Sequence, residues 1–345
     1  MKKIITILSY VVCFALLCNN AHAVEIHYKP VNVDLEEVFL NLPDTVPNIA
    51  QGNLTKSTRQ ELFDAYITGK DFIDGETSIS FFDYDHLSVY MSNGFGSWTL
   101  NLLPLQNEVL AIIITDRLSE DELQAFEFYI YKNGKATKTE KYGYATVKKA
   151  LLENTQYVEQ GMYDNVHLSF DSRRACLKLY RENWQDYFTS SYDCFAFSLA
   201  KKQFVKFDYD SNPIGQGYTE RLEKLYKGFV TAFNSKDYLV ALHYISDDAL
   251  YEEPVNIYSD ELIKFYLDVI LSGNCVSGQQ YFSYDLDFSK IKTIKVTTYE
   301  RSGIVEPCLE LVVSGKKILL DLLVITESIW EGVDADLILF TEAKG

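Results

Sequence analysis

Residues 76–132 decide the fold, and they read ETSISFFDYDHLSVYMSNGFGSWTLNLLPLQNEVLAIIITDRLSEDELQAFEFYIYK. In three places the apolar residues occupy every second position: Leu87, Val89 and Met91, then Trp98, Leu100 and Leu102, then Phe126, Phe128 and Ile130. A period of two places each set on one face of a β-strand. Residues 109–114 are apolar without interruption, which indicates a strand covered on both faces. The stretch therefore predicts an antiparallel sheet with a buried middle strand.

Turn-forming residues separate these strands. Asn-Gly pairs at 93–94 and 133–134 provide positions that tolerate a positive φ, which tight hairpins require. Pro104 has no N–H to donate to a neighbouring strand, so it interrupts the ladder of hydrogen bonds. Strands joined by such short turns form a meander.

Helices are predicted before and after this meander. An irregular or briefly helical segment over residues 34–51 comes first, and Thr58 and Glu61 then show the spacing of a capping box. Gly69 can end the helix that follows, in the left-handed conformation. Four apolar residues of this helix are expected to share one face: Leu62, Phe63, Tyr66 and Ile67. A second helix is predicted over residues 146–154.

Strands resume after the second helix. They are predicted over residues 166–170, 175–180, 194–199 and 204–207. The order of a helix followed by strands thus occurs twice, which suggests a duplicated layout with both helices packed on one sheet. Together these elements are expected to form an α+β domain over residues 24–209.

Three segments of this part resemble a family of secreted Bacteroidetes proteins that is defined only as a domain of unknown function. They are LPDTVPNIAQGNLTKSTRQELFDAYITG at 42–69, LSVYMSNGFGSWTLNLLPL at 87–105 and YDCFAFSLAKKQFVKF at 192–207. The resemblance covers about residues 34–208 and rests on the order of the helix, the Leu-x-x-x-Met-Ser strand and the Leu-Leu-Pro turn. It implies a location in a Gram-negative cell envelope and carries no activity.

A linker is predicted over residues 210–217, within the acidic run DYDSNPIGQG, because proline and glycine interrupt both helices and strands. Residues 218–345 beyond it are expected to form a second α+β domain. Its first helix has an apolar stripe of Leu222, Leu225, Tyr226, Phe229 and Phe233. A short helix over 237–245 follows, then a helix capped by Ser259 and ended by Gly273. Strands are predicted over residues 291–299, 309–313, 318–325 and 336–341.

The segment FVTAFNSKDYLVALHYISDDALYEE at 229–253 resembles the opening of the nuclear transport factor 2-like fold. In that fold a curved antiparallel sheet wraps around a long helix and forms a cone. The resemblance covers residues 218–340, and the fold hosts both enzymes and binding modules. The resemblance implies that an enzyme of this shape would hold a His/Asp pair or a carboxylate base inside the cone.

The weak catalytic candidates are His243 and Asp247, which lie one helical turn apart and could touch. The other ionisable groups of this region are Asp248, Glu252, Glu253 and Asp285. The alternative is a structural role for these residues. Adjacent acids at the end of a short helix, such as Asp247 and Asp248, often face water, and His243 would then be a partly buried core residue. No oxyanion motif or nucleophile elbow accompanies them.

The N-terminus predicts a secretory signal peptide over residues 1–23. Lys2 and Lys3 precede the apolar run 4–17, and Ala-His-Ala at 21–23 fits the small-x-small cleavage rule. The alternative is a lipoprotein signal with lipidation at Cys18, for which Leu17 is a bulky preceding residue. The mature chain is therefore expected in the periplasm or outside the cell.

The net charge of the chain limits the classes of partner that it can bind. The formal net charge is −17, and removal of Lys2 and Lys3 with the signal lowers it to −19. Such a chain repels nucleic acid and anionic membranes. No later stretch is long and apolar enough to predict a transmembrane segment. The expected partner is a protein, a glycan or a small ligand of the cell envelope.

Four cysteines remain after that cleavage, in two pairs along the sequence: Cys176 with Cys194, and Cys275 with Cys308. In an oxidising compartment they are candidates for disulfides, with three connectivities. Four buried free thiols are the alternative. The sequence has no Cys-x-x-Cys and no Cys-His ligand spacing, so it predicts no metal site and no cofactor.

The sequence favours a non-catalytic binding or interaction module. The chain is rich in aromatic residues, with 25 tyrosines and 21 phenylalanines, and tyrosines near 142–144 and 281–284 are candidates for stacking on a sugar or gripping a partner. The alternative is a small-molecule-binding protein or an isomerase- or hydrolase-like enzyme that uses the pocket of the C-terminal cone.

We expect the mature protein to begin at Val24 and to carry no lipid, because the Ala-His-Ala site fits ordinary signal peptidase. Mass spectrometry of the protein exported by its host checks this. An acylated N-terminal Cys18 would contradict it.

Overall fold

The computed structural model describes residues 30–49, 52–70, 77–93, 96–117, 125–159, 165–182, 191–209, 217–252, 255–259, 261–276, 291–313, 315–330 and 333–340. Helices and antiparallel sheets make up these residues, so the predicted α+β class is confirmed. The predicted signal peptide, nearly all of the linker, Glu253, Asp285 and the tyrosines near 281–284 lie outside the described residues.

The predicted meander is confirmed as a six-stranded antiparallel sheet in which every strand pairs with the next one along the chain. Two helices precede it, α1 (Leu35–Leu40) and α2 (Lys56–Thr68). The strands are β1 (Ser78–Asp83), β2 (Ser88–Asn93), β3 (Gly96–Pro104), β4 (Val109–Arg117), β5 (Ala125–Lys132) and β6 (Lys135–Thr139).

Strand β4 is buried on both faces, as its uninterrupted apolar run predicts. Ile113 lies in a hydrophobic cluster with Trp98 and Leu100 of the meander and with α1 and α2. Ile112 points the other way and lies in a second cluster, which includes Phe128 and residues from the rest of the chain. The middle of this sheet therefore separates two cores.

Helix α2 begins before the predicted capping box, and only part of its predicted apolar face is buried. Thr55 is the N-cap, and its side chain accepts a hydrogen bond of 3.3 Å from the backbone N–H of Thr58. Arg59 is buried with Leu62 and Phe63, whereas Tyr66 and Ile67 are 38% and 62% exposed. Of the four residues predicted to share one face, Leu62 and Phe63 are therefore buried, and Tyr66 and Ile67 lie at the exposed part of the helix, because the face that packs here centres on Arg59, Leu62 and Phe63. Gly69 ends the helix at φ 63°, as predicted.

A second antiparallel sheet of four strands follows the third helix, α3 (Tyr144–Glu159). Its strands, in spatial and chain order, are β7 (Asn165–Asp171), β8 (Cys176–Glu182), β9 (Ser191–Ser198) and β10 (Gln203–Phe207). The expectation that both helices pack on one sheet is wrong: α2 packs on β1, and α3 packs on β7 and β10. Each run of hairpins closes a sheet of its own, so the order helix-then-meander occurs twice in two layers.

The C-terminal part contains four helices, a 3-10 turn and two further antiparallel sheets within the described residues. The helical elements are α4 (Tyr218–Asn234), α5 (Tyr238–Ala241), the 3-10 turn Leu242–Tyr244, α6 (Asp247–Glu252) and α7 (Glu261–Leu271). Strands β11 (Asn274–Cys275), β12 (Ile291–Arg301), β13 (Ile304–Val313) and β14 (Lys316–Asp321) form a sheet in the order β11-β14-β13-β12. Strands β15 (Val324–Trp330) and β16 (Val333–Ile338) form a separate pair.

One predicted strand, over residues 318–325, is two strands in different sheets. The chain leaves the sheet formed by β11–β14 at Leu322. The backbone N and O of Leu322 each lie 3.0 Å from the Tyr226 hydroxyl of α4. A side chain thus satisfies the backbone groups that a neighbouring strand would otherwise bond. Asp247 also differs from the prediction, since it begins helix α6 rather than ending the helix before it.

The two predicted domains share a core. Ile112 of the meander, Phe197 of the second sheet, and Phe229 and Leu311 of the C-terminal part belong to one cluster of buried residues. The boundary predicted at 210–217 lies outside the described residues except for Gly217, and the division into two domains stays a prediction. Among the described residues, no helix combines the length and the apolar character needed to cross a membrane.

We expect Ile112→Ala and Ile113→Ala each to lower the free energy of unfolding by about 2–5 kcal/mol, because consecutive residues of β4 fill two different cores. The matched control is Ile67→Ala on α2, whose side chain is 62% exposed. Urea denaturation of the three variants measures the difference. A large loss at only one of the two β4 positions would contradict burial on both faces.

Candidate functional site: a buried cysteine–histidine cluster

The segment from Asp237 to Asp247 lies against the second sheet and carries the candidate site. Helix α5 packs on β9. The carboxylate of Asp237 accepts hydrogen bonds from Ser198 Oγ at 2.5 Å and from the backbone N of Leu199 at 2.6 Å. These bonds attach the beginning of the segment to the end of β9.

Arg174 attaches the other end of the segment. It lies in the turn between β7 and β8, and its side chain is only 3% exposed. Its guanidinium donates to Leu242 O at 2.7 Å, to Ile245 O at 2.9 Å and to the Asp247 carboxylate at 2.7 and 3.0 Å. Burial alone would lower the pKa of Arg174, but the neighbouring Tyr209 and Asp247 raise it above its usual value. The charged guanidinium therefore holds the backbone on both sides of His243.

His243 lies between these two attachments and meets two cysteines of the sheet. Lys178 is the register partner of Cys194, so Cys176 on β8 and Cys194 on β9 are diagonal neighbours on one face. The two sulfur atoms and one ring nitrogen of His243 all lie within 4.8 Å of one another. The distance from Cys194 Sγ to His243 Nδ1 is 3.6 Å. All three residues are at most 1% exposed.

Aromatic residues from the end of β10 complete the surroundings of the imidazole. The Tyr209 hydroxyl lies 2.9 Å from His243 Nδ1. The Phe207 ring centre lies 4.9 Å from the centre of the imidazole. The other ring nitrogen, Nε2, is buried and has no hydrogen-bond partner among the described residues. One ring nitrogen of His243 is thus left without a partner in this arrangement.

The two thiols differ in acidity. Burial raises the pKa of the Cys176 thiol well above its usual value. Burial acts in the same direction on Cys194, but a hydrogen bond from Cys176 and the interaction with His243 together hold the pKa of Cys194 well below its usual value. The thiolate form is the one that binds metals and acts as a nucleophile. Cys194 is therefore the sulfur atom whose thiolate form this environment favours.

The charged residues near the cluster are paired with one another. Lys178 Nζ lies 2.7 Å from Asp171 Oδ2. Burial by itself would raise the pKa of Asp171, but Lys178 holds it below its usual value. With Arg174 paired to Asp247, these neighbours bring no net charge to the cluster.

The structure separates some of the predicted site residues and joins others. His243 and Asp247 have different partners: His243 faces Tyr209 and Cys194, and Asp247 binds Arg174. His243 is completely buried rather than partly buried. Asp248 lies in the first turn of α6 with Asp247, and Glu252 ends that helix.

The two cysteine pairs also differ. Cys176 and Cys194 come together, whereas strand β14 lies between Cys275 on β11 and Cys308 on β13. Strands two places apart in a sheet are separated by about 9.6 Å, which exceeds the reach of a disulfide.

The remaining histidines among the described residues have structural contacts. His86 Nδ1 lies 2.8 Å from the carboxylate of Asp83 at a turn. The His167 ring stacks on Tyr180 with 4.9 Å between the ring centres. His27 lies outside the described residues.

Sequence reasoning missed the cluster because its residues are far apart along the chain. Cys176, Cys194 and His243 have no ligand spacing, and Tyr209 and Arg174 belong to no motif. Only the strand register and the docking of the 3-10 turn bring them together. The sequence signal that could have indicated the cluster was the placement of both cysteines in predicted strands.

An open cleft of about 440 Å³ forms a second candidate site, at the junction of the meander, the second sheet and helix α5. Its charged lining residues are Lys132, Lys202, Lys236 and Glu108. Tyr142, one of the tyrosines predicted to contact a ligand, lies in its wall, and its hydroxyl donates to Glu108. The distance from Lys132 Nζ to Glu108 Oε2 is 4.0 Å.

Comparison with known proteins finds no matching protein-family model, no matching curated protein and no matching solved structure. The buried cluster and the open cleft are therefore interpreted from their own chemistry. The first offers soft ligands without solvent, and the second offers positive charge beside aromatic rings.

We expect Arg174→Met to lower the free energy of unfolding by about 3 kcal/mol, because it leaves two buried carbonyl groups without their donors. Asp247→Asn should cost less than about 1 kcal/mol, since the Asp247 side chain is 60% exposed. Arg173→Ala is the control, because that neighbouring arginine is exposed and stacks on Tyr251. Urea denaturation checks all three, and an Asp247→Asn loss as large as that of Arg174→Met would contradict the role given to the carbonyl groups.

Proposed function

We propose that this protein is a non-catalytic binding protein of the cell envelope that takes a small anionic ligand with a ring, such as an acidic sugar, in the open cleft. We also propose that the protein is secreted, that it is related to the Bacteroidetes family of unknown function, and that its C-terminal part has the nuclear transport factor 2-like arrangement. The observation that carries it is the gathering of three lysines beside aromatic side chains on an acidic chain.

The charge of the cleft supports an anionic ligand. The chain as a whole has a formal charge of −17, yet the cleft is lined by Lys132, Lys202 and Lys236 with Glu108 as a lining acid. A cleft whose charge is opposite to that of the surrounding protein concentrates ligands of the matching sign. The favoured ligand therefore carries carboxylate or phosphate groups.

The walls of the cleft support a ligand with a flat or cyclic body. Tyr142, Phe197 and Tyr238 are among its lining residues, and Tyr142 is the one whose ring a ligand can reach, since Phe197 and Tyr238 are each 1% exposed. An aromatic face packs against the apolar side of a sugar ring or another cyclic group, and the lining lysines can bind its charged substituents. A volume of about 440 Å³ falls in the range of small-molecule sites.

Side chains fill the space beside helix α4 in the C-terminal part. This favours the binding protein proposed above over the alternative of an enzyme or ligand carrier that uses a cone pocket. Helix α4 packs on β12, β13 and β16. Phe229 and Phe233 of α4 contact Tyr266 of α7, with ring centres 6.1 and 6.0 Å apart. Leu309 and Leu311 of the sheet are completely buried against them. Among the described residues the space beside α4 is occupied by side chains.

The position of the weak catalytic candidate also favours binding over catalysis. A general base must reach a substrate. His243 is 0% exposed and faces the second sheet rather than the sheet formed by β11–β14. The base that the cone alternative requires is therefore placed away from the cone.

We expect isothermal titration calorimetry to detect binding of galacturonate or glucose 6-phosphate and to detect none of neutral glucose. The triple variant Lys132→Gln, Lys202→Gln, Lys236→Gln should bind at least about tenfold more weakly, because three exposed charge pairs of about 0.5 kcal/mol each are lost. Higher salt should weaken binding to the wild-type chain in the same direction.

The matched control changes three lysines elsewhere on the surface to glutamine: Lys149 and Lys227 on helices α3 and α4, and Lys316 on β14. It removes the same total charge and should leave the affinity within about twofold, since distant exposed charges are screened. Equal losses in both triple variants, or equal binding of glucose and galacturonate, would contradict the proposed site.

A further inference from the structure

We propose that Cys176, Cys194 and His243 bind one zinc ion in the interior of the protein. This site is separate from the open cleft, and it is a structural metal site that the sequence does not predict. Two thiolates and one imidazole are a ligand set that zinc uses in proteins.

The distances in the cluster match those of zinc coordination. Zinc–sulfur bonds of about 2.3 Å and zinc–nitrogen bonds of about 2.0 Å at the tetrahedral angle place a sulfur and a nitrogen about 3.6 Å apart. The observed distance from Cys194 Sγ to His243 Nδ1 is 3.6 Å. The remaining separations of the three ligand atoms are also within 4.8 Å, so a single ion can reach all of them with small side-chain adjustments.

The charge of the ligand set favours a divalent ion. Two thiolates and a neutral imidazole carry a charge of −2, which a divalent cation neutralises. Neutrality matters here, because all three residues are at most 1% exposed and an unbalanced charge in such a place is strongly unfavourable. The nearby Arg174 and Lys178 are already paired with Asp247 and Asp171.

The surrounding structure holds the ligands in place. Cys176 and Cys194 lie on neighbouring strands of one sheet, and Arg174 fixes the carbonyl groups of Leu242 and Ile245 around His243. A tetrahedral ion has one further position, and the Tyr209 hydroxyl is a nearby oxygen, 2.9 Å from His243 Nδ1. A site buried in this way acquires its ion during folding.

A disulfide between Cys176 and Cys194 is the competing outcome. It would require an oxidant that removes two electrons and two protons from the thiols. The diagonal register of the two cysteines corresponds to a separation of about 7–8 Å between diagonal neighbours. Disulfides usually require Cα atoms less than about 6.8 Å apart, so the register favours the metal.

The test is metal analysis of the chain after it has been unfolded, reduced and refolded in the presence of zinc. We expect about one equivalent of zinc per chain, measured by elemental mass spectrometry after removal of free ion. Cys194→Ser and His243→Ala should each weaken zinc binding more than the 10–100-fold loss that is typical of removing an outer partner of a ligand. Cys308→Ser, which removes another buried thiol, and His86→Ala, which removes an exposed imidazole, are the controls and should keep the full equivalent.

A second measurement needs no variant. Zinc should slow alkylation of Cys176 and Cys194 in the wild-type chain at least about tenfold, because a metal-bound thiolate is not free to react, and it should leave the rate at Cys308 unchanged. Peptide mass spectrometry reads out each cysteine separately. A reduced wild-type chain that takes up no zinc, or zinc that leaves both alkylation rates unchanged, overturns the proposal.

Discussion

The burial of Arg174 is the constraint on which the arrangement of the second sheet and the C-terminal part depends. A guanidinium that is 3% exposed must have its donors satisfied, and Leu242 O, Ile245 O and the Asp247 carboxylate satisfy them. These acceptors belong to a segment far along the chain, so the contact determines where that segment docks. The docking in turn places His243 against the two cysteines of the sheet.

The meander supplies the framework on which this docking occurs. Its middle strand β4 contributes Ile113 to the cluster with α1 and α2, and Ile112 to the cluster that continues through the second sheet to α4. A sheet that is apolar on both faces must be covered on both, and here the second covering layer comes from later parts of the chain. The predicted domains therefore share an apolar surface, in addition to the polar contacts that Arg174 and Ser198 make with the segment from Asp237 to Asp247.

The two candidate sites differ in solvent and in chemistry. The cysteine–histidine cluster lies in the interior, where two sulfur ligands and an imidazole suit a metal ion. The cleft is open and carries Lys132, Lys202 and Lys236 beside aromatic walls, which suits an anionic ligand from solution. The proposed zinc ion would stabilise the junction between the second sheet and the C-terminal part, and the proposed ligand would bind in a cleft near that junction.

The sequence by itself determined the local structure: the strands of the meander, the two-sided burial of residues 109–114, the helix end at Gly69 and the amphipathic stripe of α4. Each of these follows from a period of two or 3.6 or from a residue with special backbone freedom, which act over a few neighbouring positions. The sequence did not determine which helix covers which sheet, the division of residues 318–325 at the Tyr226 hydroxyl, or the meeting of Cys176, Cys194 and His243. Only the tertiary structure decided these, because they depend on strand register and on a buried arginine that bonds residues about 70 positions away, and neither leaves a periodic pattern in the chain.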